Sequence, residues 1–374
     1  MPKFTFALFF FLFSFYACNQ SAHQSIPVLK ATSDRADYKI GNEWVRGNWR
    51  ISPAIKADSL VIPCYAEHEK FVFYTDRDSI SFDLGPGSVH QFYVSLNDTA
   101  MALTVVKGVT SNYNVLSFDT TSVNKELTFW YEQNTDNEYL NRLRALYPID
   151  SLVKDAHSDT EKALKITNWV HNQWSHDGSN EPRKSDAISI LEEVKEGKNF
   201  RCVEYGIVAT ACLNAVGLKA RTLALKTSDV ETRPSGAGHV LLEVFLNDLQ
   251  KWVLLDGQWD VMPLLNGIPL NAVEFQKALS DHYPELEIRS SSNVSKRKYG
   301  AWIYPYLYYF DIAFDNRETN PKFTGLSMGQ RKLMLVPLGA KHPTVFQGKG
   351  QIKECLYTSS YNDFYAPPQA LNEK

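Results

Sequence analysis

The sequence predicts an α+β protein in which several helices precede an antiparallel sheet, with β-rich regions on both sides. Three observations indicate this order. Apolar residues recur at helical spacing between about residues 139 and 216. Short apolar runs separated by turn residues come before that stretch, and further runs of the same kind follow it. An aromatic content of 13% also favours β-rich regions over long helical bundles.

The first 17 residues have the features of an export signal. Lys3 is followed by about fourteen mostly apolar residues, too few to span a bilayer but enough for the hydrophobic part of a signal peptide. The run ends at Ala17-Cys18, which resembles the cleavage site of bacterial lipoproteins. We therefore expect residues 1–17 to be a lipoprotein signal peptide, Cys18 to carry lipid and residues 18–40 to be a tether. An ordinary secretory signal is the alternative.

Residues 41–135 are expected to form a β-sandwich-like N-terminal domain. Turns at short intervals separate its apolar runs, which is typical of an antiparallel sandwich or small barrel. We find no nucleophile or metal-ligand pattern in this part of the sequence, so its expected role is structural or the shaping of a substrate groove. The runs are Leu60–Ile62, Phe71–Tyr74, Ser79–Phe82 and Phe92–Val94.

Three helices are expected to precede the most informative stretch of the chain. Apolar residues at helical spacing predict the first, which ends before Pro148. A second is capped near Ser158 and extends to Trp174. A third begins after Ser185 and ends at Gly197, where glycine favours termination.

A fourth helix is predicted within residues 199–217, with Gly217 as its left-handed C-terminal residue. Cys202 falls in or just before the first turn of this helix. Free backbone N–H groups and the positive end of the helix dipole stabilise a thiolate at that place. Cys202 is therefore a candidate nucleophile, although a free cysteine can also be a small buried apolar residue.

Two predicted strands after this helix carry a base and a carboxylate. His239 lies at the start of one strand and Asp256 at the end of the next, and residues 247–250 between them suit a hairpin turn. Folding the hairpin brings His239 and Asp256 to the same end of adjacent antiparallel strands. A favourable register would also put both side chains on one face. A thiol with a base and an orienting carboxylate is an arrangement used in nucleophilic catalysis.

Cys202, His239 and Asp256, in this order on a helix start and two paired strands, resemble the triad of the transglutaminase-like superfamily. The resemblance covers roughly residues 155–265. It implies a papain-like catalytic domain at residues 136–290. In it Cys202 would be the nucleophile, His239 the base and Asp256 the group that orients the histidine.

The resemblance also implies attack on an amide of a peptide or protein through a thioester intermediate. Either water then releases an acid, as in a peptidase or amidase, or an amine accepts the acyl group, as in a transglutaminase. For an exported lipoprotein the resemblance favours hydrolysis. The pair Phe200-Arg201 departs from the family, because many members have glycine shortly before the cysteine. The alternative is a catalytically silent binding or scaffold lipoprotein that keeps the fold.

Residues upstream of the nucleophile raise two further questions. In this class an upstream glutamine or tryptophan can join the nucleophile's own N–H in binding an oxyanion, which makes Gln173 and Trp174 candidates. Plain packing or a solvated helix end is the alternative for both. His171 and His176 have no partners at zinc-like spacing, so the sequence does not indicate a metal site, and no cofactor is expected.

Residues 291–374 are expected to be a β-rich C-terminal region. A capping box at Asn271 predicts a helix before it. Residues 289–298 are polar and without periodicity, which indicates a loop. Tyr304 to Phe314 is rich in aromatic residues and is predicted to be a strand.

Composition and cysteine count limit the partners and the covalent links. The net charge of −3 leaves no basic footprint for nucleic acid. The expected partners are a peptide or protein amide substrate and, through the lipid on Cys18, a membrane of the bacterial cell envelope, on its periplasmic or cell-surface side. Cys212 is expected in the core, and Cys64 and Cys355 are not expected to pair. The oligomeric state is not indicated.

Overall fold

The computed structural model describes residues 25–111, 113–318 and 329–369, with the side chains of residues 46–48 left out. The expected signal peptide and Cys18 lie outside these residues. Every helix in the described ranges is too short or too polar to cross a membrane. The described part of the expected tether contains two strands rather than an unstructured linker, because alternate residues such as Leu29 and Ile40 are buried in the first region of the fold.

The N-terminal region contains two four-stranded sheets that share an apolar core. Their orders are β1-β7-β8-β4 and β3-β2-β5-β6. The expectation of a purely antiparallel arrangement was wrong for two pairs, since β1 runs parallel to β7 and β4 parallel to β8. Phe71, Phe73 and Phe92 are fully buried between the sheets. The strands are β1 Val28–Ala31, β2 Arg35–Ile40, β3 Glu43–Arg50, β4 Asp58–Cys64, β5 Glu69–Tyr74, β6 Ser79–Leu84, β7 Val89–Leu96 and β8 Ala100–Thr110.

Five helices follow a short strand, β9 (Trp130–Tyr131). The side chains of Asn137 and Ser158 accept hydrogen bonds from free N–H groups at two of the helix starts. The second predicted helix ends at His171, three residues before the expected end, and Asp186 rather than Ser185 caps the next one. The helices are α1 Glu138–Leu146, α2 Ile149–Val153, α3 Asp159–His171, α4 Ala187–Lys195 and α5 Cys202–Ala215.

Helix α5 lies at the centre of the core. Eleven of its 14 residues are buried, so it is covered on nearly all sides and not along one face as its periodicity predicts. Helices α1, α3 and α4 pack on it from one side, and two strands of the central sheet, Lys219–Lys226 and Gly238–Leu246, pack on it from the other. Gly217 ends it with a φ of 85°, a left-handed conformation that glycine adopts without strain.

The central sheet has six strands in the order β12-β11-β10-β16-β18-β21. All neighbouring pairs are antiparallel except β18 with β21. Half of the sheet therefore comes from the C-terminal region, which extends the core and is not separate from it. The strands are β10 Lys219–Lys226, β11 Gly238–Leu246, β12 Lys251–Leu255, β16 Tyr309–Ala313, β18 Lys332–Leu335 and β21 Cys355–Thr358.

Smaller elements cover the edges and ends of this sheet. Residues 289–298, expected to be a loop, include the start of a helix, and residues 304–306, expected to begin a strand, form a 3₁₀ turn. The helix predicted at Asn271 is confirmed. The elements are β13 Met262–Leu265, β14 Ile268–Pro269, α6 Ala272–Asp281, β15 Leu286–Arg289, α7 Lys296–Ile303, β17 Asp315–Asn316, β19 Val345–Phe346, β20 Gly350–Gln351 and α8 Tyr361–Phe364.

Arg297 fastens helix α7 to the N-terminal region. Its guanidinium donates to the carbonyl of Pro63 at 2.6 Å and to Glu69 Oε1 at 2.8 Å. Its backbone N–H donates to Glu43 Oε2 at 2.7 Å. Because these groups are mostly buried, the contacts hold α7 more firmly than exposed ion pairs would. The N-terminal region thereby supports a helix that reaches the candidate site.

Candidate active site

Cys202 is the first residue of α5 and is half-buried. The chain enters the helix through Arg201, whose backbone is extended (φ −75°, ψ 177°). Glu204 accepts from the Arg201 N–H at 3.0 Å and from its guanidinium at 2.8 Å. This closes the first turn and leaves the Cys202 sulfur at the positive end of the helix dipole.

The strand register brings His239 and Asp256 onto one face. β11 and β12 pair with Leu242 opposite Leu255, so Asp256 follows at the level of Leu241. His239 lies two residues before Leu241 and therefore shares its face. His239 Nε2 donates to Asp256 Oδ2 at 2.9 Å, with both side chains almost fully buried. The favourable register that the sequence left open is the one the protein adopts.

Close packing of α5 on β11 places the sulfur beside the strand. A Cβ added to Gly206 would lie 3.1 Å from the carbonyl oxygen of Leu241 and 3.3 Å from the Val240 side chain. Only glycine leaves room for that approach without a shift of the helix. The backbone N–H of Val240 on this strand is one of the groups that lower the pKa of the Cys202 thiol.

The charges of Cys202 and His239 support each other. Burial alone would raise the pKa of the Cys202 thiol, but the hydrogen bond and charge of His239, with the Val240 N–H, lower it below its ordinary value. Burial alone would lower the pKa of His239, but the Asp256 carboxylate and the interaction with Cys202 raise it to about 9. These opposite shifts favour a thiolate beside an imidazolium at neutral pH.

Four hydrogen bonds fix the Asp256 carboxylate, which is completely buried. Oδ1 accepts from the backbone N–H groups of Gln258 at 3.0 Å and Trp259 at 3.2 Å. Oδ2 accepts from His239 and from the hydroxyl of Tyr299, each at 2.9 Å. A carboxylate held in this way can orient the imidazole without rotating.

Tyr299 is a site residue that sequence reasoning missed. It lies on α7, one residue after the stretch 289–298 whose polar composition indicated a loop. The helical spacing of Tyr299 and Ile303 is the signal that could have found it. Tyr299 is fully buried, and burial is the largest cause that raises the pKa of its hydroxyl, so it stays a neutral donor to Asp256.

An aromatic wall, formed by Trp259, Tyr299, Trp302 and Tyr306, encloses one side of the imidazole. The Trp302 ring meets the His239 ring edge-on with 4.9 Å between centroids. Trp302 in turn lies 5.0 Å from Trp259 and 5.5 Å from Tyr306. The wall keeps water from the His239–Asp256 pair, which strengthens the hydrogen bond between them.

The two candidate oxyanion donors are placed differently. The Gln173 amide donates to the Trp169 carbonyl at 2.7 Å and is therefore engaged within its own helix end. Trp174 is buried against Tyr205, with ring centroids 4.2 Å apart. Its indole N–H has no hydrogen-bond partner among the described residues, so it is an unpaired donor beside Tyr205, which lies one helical turn after Cys202 on α5. His171 contacts the carbonyl of Gln258 at 3.0 Å and so supports the loop that holds Asp256.

A cleft of about 460 Å³ opens beside Cys202 and His239. Strands of the C-terminal region and the β19–β20 hairpin form its far side. Phe346 of the hairpin approaches Gly238 so closely that an added Cβ would lie 3.1 Å from its ring. The cleft is thus assembled from the central core and the C-terminal strands together.

The other described cysteines lie outside the triad. Cys64, Cys212 and Cys355 are all free thiols, so Cys64 and Cys355 do not form a disulfide in the structure. Cys212 is fully buried in the core, as expected, and burial raises the pKa of its thiol far above the ordinary range. Burial also raises the pKa of Cys355, to about 12. In the part of the chain that the structure describes, Cys202 alone has a lowered thiol pKa.

Residues 149–257 match the family model described as "Transglutaminase-like superfamily". This span contains Cys202, His239 and Asp256, and the resemblance seen in the sequence is confirmed. The match covers under a third of the chain, so it applies to the central core. No curated protein matches the chain in sequence.

Solved structures with detectable similarity include three named proteins. A provisionally assigned cysteine protease from Cytophaga hutchinsonii is 13% identical over 70% of this chain and 82% of its own, with a TM-score of 0.27. Red sea bream transglutaminase is 13% identical over 51% of this chain and 38% of its own, with a TM-score of 0.25. LapG from Legionella pneumophila is 15% identical over 45% of this chain and 95% of its own, with a TM-score of 0.24. The chain thus spans less than two thirds of the sea bream enzyme.

Proposed function

We propose, from the transglutaminase-like core at residues 149–257, that this protein is a cysteine enzyme that attacks amides of peptides or proteins and hydrolyses them. The observation that carries the proposal is the arrangement of three side chains. Cys202 lies at a helix start with a lowered thiol pKa, beside a His239 whose Nε2 is 2.9 Å from Asp256 Oδ2. A binding function requires none of these features.

The first half of the proposed reaction makes a thioester. The Cys202 thiolate attacks the amide carbonyl, a C–S bond forms, and the carbonyl electrons move to oxygen. The Cys202 N–H stabilises this oxyanion, and the Trp174 indole N–H is the candidate second donor. The His239 imidazolium then gives its proton to the leaving nitrogen as the C–N bond breaks. Asp256 holds the imidazole by Nε2, which leaves Nδ1 for these transfers.

The second half returns the enzyme to its starting state. Neutral His239 takes a proton from water, the hydroxide adds to the thioester carbon, and collapse of the adduct releases an acid and the Cys202 thiolate. Gln351 and Lys353, at the edge of the cleft, are exposed, which supports access of water to the thioester. If an amine attacked the same thioester in place of water, the product would be a new amide, as in a cross-link, and this is the other outcome open to this chemistry.

The alternative is a catalytically silent binding or scaffold lipoprotein. The departure at Phe200-Arg201 was the sequence feature that favoured it. Phe200 is fully buried and packs against Trp174. Arg201 pairs with Glu181 and with the buried Glu204 at the helix start. Because both residues support the start of α5 and neither lines the cleft, the departure does not weaken the case for an enzyme.

The reaction is tested by incubating the signal-free protein with a peptide library in ¹⁸O-labelled water, with and without a primary amine. We expect new carboxyl groups that carry ¹⁸O, with amine adducts as a minor product. Protein alkylated at Cys202 with iodoacetamide is the control and should give neither product. Amine adducts in excess would make the protein a transferase, and no product from any peptide would favour the silent alternative.

We also propose that lipid on Cys18 anchors the protein to a membrane of the bacterial cell envelope. Strand β1, the first described strand, begins at Val28, ten residues after Cys18. Mass spectrometry of the N-terminal peptide from native membranes should show a diacyl or triacyl adduct on Cys18. An unmodified thiol at that position, or cleavage elsewhere, would contradict the proposal.

A further inference from the structure

The wall of the cleft that faces the nucleophile is positively charged, although the whole chain carries a net charge of −3. Three lysines line the cleft, Lys226, Lys332 and Lys353, against a single acidic residue, Asp311. These four side chains come from β10, β16, β18 and the segment before β21. The excess of two positive charges therefore depends on the C-terminal strands that extend the core sheet.

One of the three lysines is already neutralised. Lys226 and Asp311 form a buried ion pair, with side chains 8% and 7% exposed. Loss of either partner would leave a buried charge uncompensated, so the Asp311 charge is committed mainly to Lys226. Lys332 lies 3.9 Å from the other oxygen of Asp311 and is 52% exposed. Its charge is therefore only partly balanced.

Lys353 is exposed and has no acidic partner among the described residues. The acidic groups nearest in sequence or across the hairpin are engaged elsewhere. Glu354 pairs with Arg331 at 3.3 Å, and Glu231 pairs with Lys341 at 2.5 Å. The ammonium groups of Lys332 and Lys353 thus remain available to a bound anion at the edge of the cleft.

The rest of the lining suits the body of a peptide. Val203, Ala224, Phe346 and Ile352 provide apolar surface between the nucleophile and the lysines. A chain bound across this surface would have its reactive amide at Cys202 and a neighbouring side chain near the ammonium groups. The carboxylates of aspartate and glutamate are the side-chain anions that an unmodified peptide carries.

We propose that the cleft selects acyl donors in which an acidic residue flanks the amide attacked by Cys202, with its carboxylate bound by Lys332 and Lys353. This inference rests on the proposed function, because it names the substrate class of the same site. Electrostatic complementarity of this kind changes selectivity and association more than the chemical step.

The test uses the most reactive peptide from the library, made with glutamate, glutamine or lysine next to the scissile amide. At low ionic strength we expect kcat/KM to be about 3- to 10-fold higher for the glutamate peptide than for the glutamine peptide, and lowest for the lysine peptide. The difference should appear mainly in KM. It should shrink to less than about 2-fold near 0.5 M NaCl, because salt screens exposed charges.

A double variant, Lys332→Gln with Lys353→Gln, should lose the glutamate preference and still hydrolyse the glutamine peptide. Both side chains are exposed, so the fold should survive, and its melting temperature checks this. Lys165→Gln, at an exposed position on α3, is the matched control and should keep the preference.

The outcomes separate the inference from the proposed function. Equal turnover of the glutamate and glutamine peptides by the unmodified protein overturns the inference while hydrolysis stands. A preference that persists in the double variant also overturns it, because the carboxylate would then be bound elsewhere. If no peptide of the library is cleaved, the proposed function falls, and the inference falls with it.

Discussion

Replacing Cys202 by alanine is expected to abolish turnover, with a fall in kcat/KM of at least about 10⁴-fold. The thiolate forms the covalent bond to the substrate, and no other described cysteine lines the cleft. Since the side chain is only half-buried and fills no core space, the melting temperature should change by no more than a few degrees. Steady-state kinetics on the reactive peptide and a thermal melt measure the two effects.

Cys355→Ala is the matched control for this substitution. Cys355 is a half-buried free thiol on β21, close to the cleft but outside its lining. The control should keep activity near that of the unmodified protein. Residual activity above about 1% in a Cys202→Ala sample free of unmodified protein would mean that another group is the nucleophile.

Replacing His239 by glutamine is expected to lower kcat/KM by roughly 10³- to 10⁴-fold and to change how Cys202 reacts with iodoacetamide. In the unmodified protein His239 lowers the pKa of the Cys202 thiol. The rate at which iodoacetamide labels Cys202 should therefore be high and nearly constant from neutral pH down to that lowered pKa. Without the imidazolium, burial dominates and raises the thiol pKa, so labelling should need alkaline pH. Peptide mass spectrometry across pH 5 to 9 follows the rate at each cysteine.

The direction of the pH dependence follows from the two shifts. The pKa of His239 is raised above its ordinary 6.5 to about 9, so the stability gained from the imidazolium is complete below about 6.5 and is lost as pH rises through 9. Turnover should fall over the same upper range, because the leaving nitrogen needs that proton. The pKa of the Cys202 thiol is lowered, so the stability that the thiolate contributes is lost as pH falls through that lowered pKa.

Two comparisons make the histidine experiment decisive. Cys355, whose pKa is raised to about 12, is an internal reference that should label slowly throughout. Tyr299→Phe removes one hydrogen bond to Asp256 and leaves the imidazole in place, so it should reduce kcat/KM much less than the loss of His239 does. If Cys202 labels with the same pH profile in the presence and absence of His239, the thiolate–imidazolium pair does not exist.

The N-terminal region takes part in the site indirectly. Arg297 and Tyr299 lie on the same helix, and Arg297 is held by Pro63 and Glu69 of that region. Tyr299 completes the hydrogen bonds of Asp256 on the other side of the helix. A region with no nucleophile of its own therefore helps to fix the orientation of the triad, which fits the structural role that its sequence indicated.

Much of the site could be predicted because its signals are local. The extent of α5 follows from periodic apolar residues and, at its end, from Gly217, which act within a few turns of helix. The hairpin between His239 and Asp256 follows from two apolar strands and a short polar turn. These signals are short-range, so they remain readable in the sequence without knowledge of the rest of the fold.

What the sequence determined by itself was therefore the order and local setting of Cys202, His239 and Asp256, together with the class of core that holds them. Tertiary structure alone decided three further features. These are the strand register that joins His239 to Asp256, the hydrogen bond from the Tyr299 hydroxyl to Asp256, and the charged far wall of the cleft. It also decided that β16, β18 and β21 join the core sheet. The reason is that pairing between distant strands depends on which edges remain open after the core has folded, and no short stretch of sequence records that.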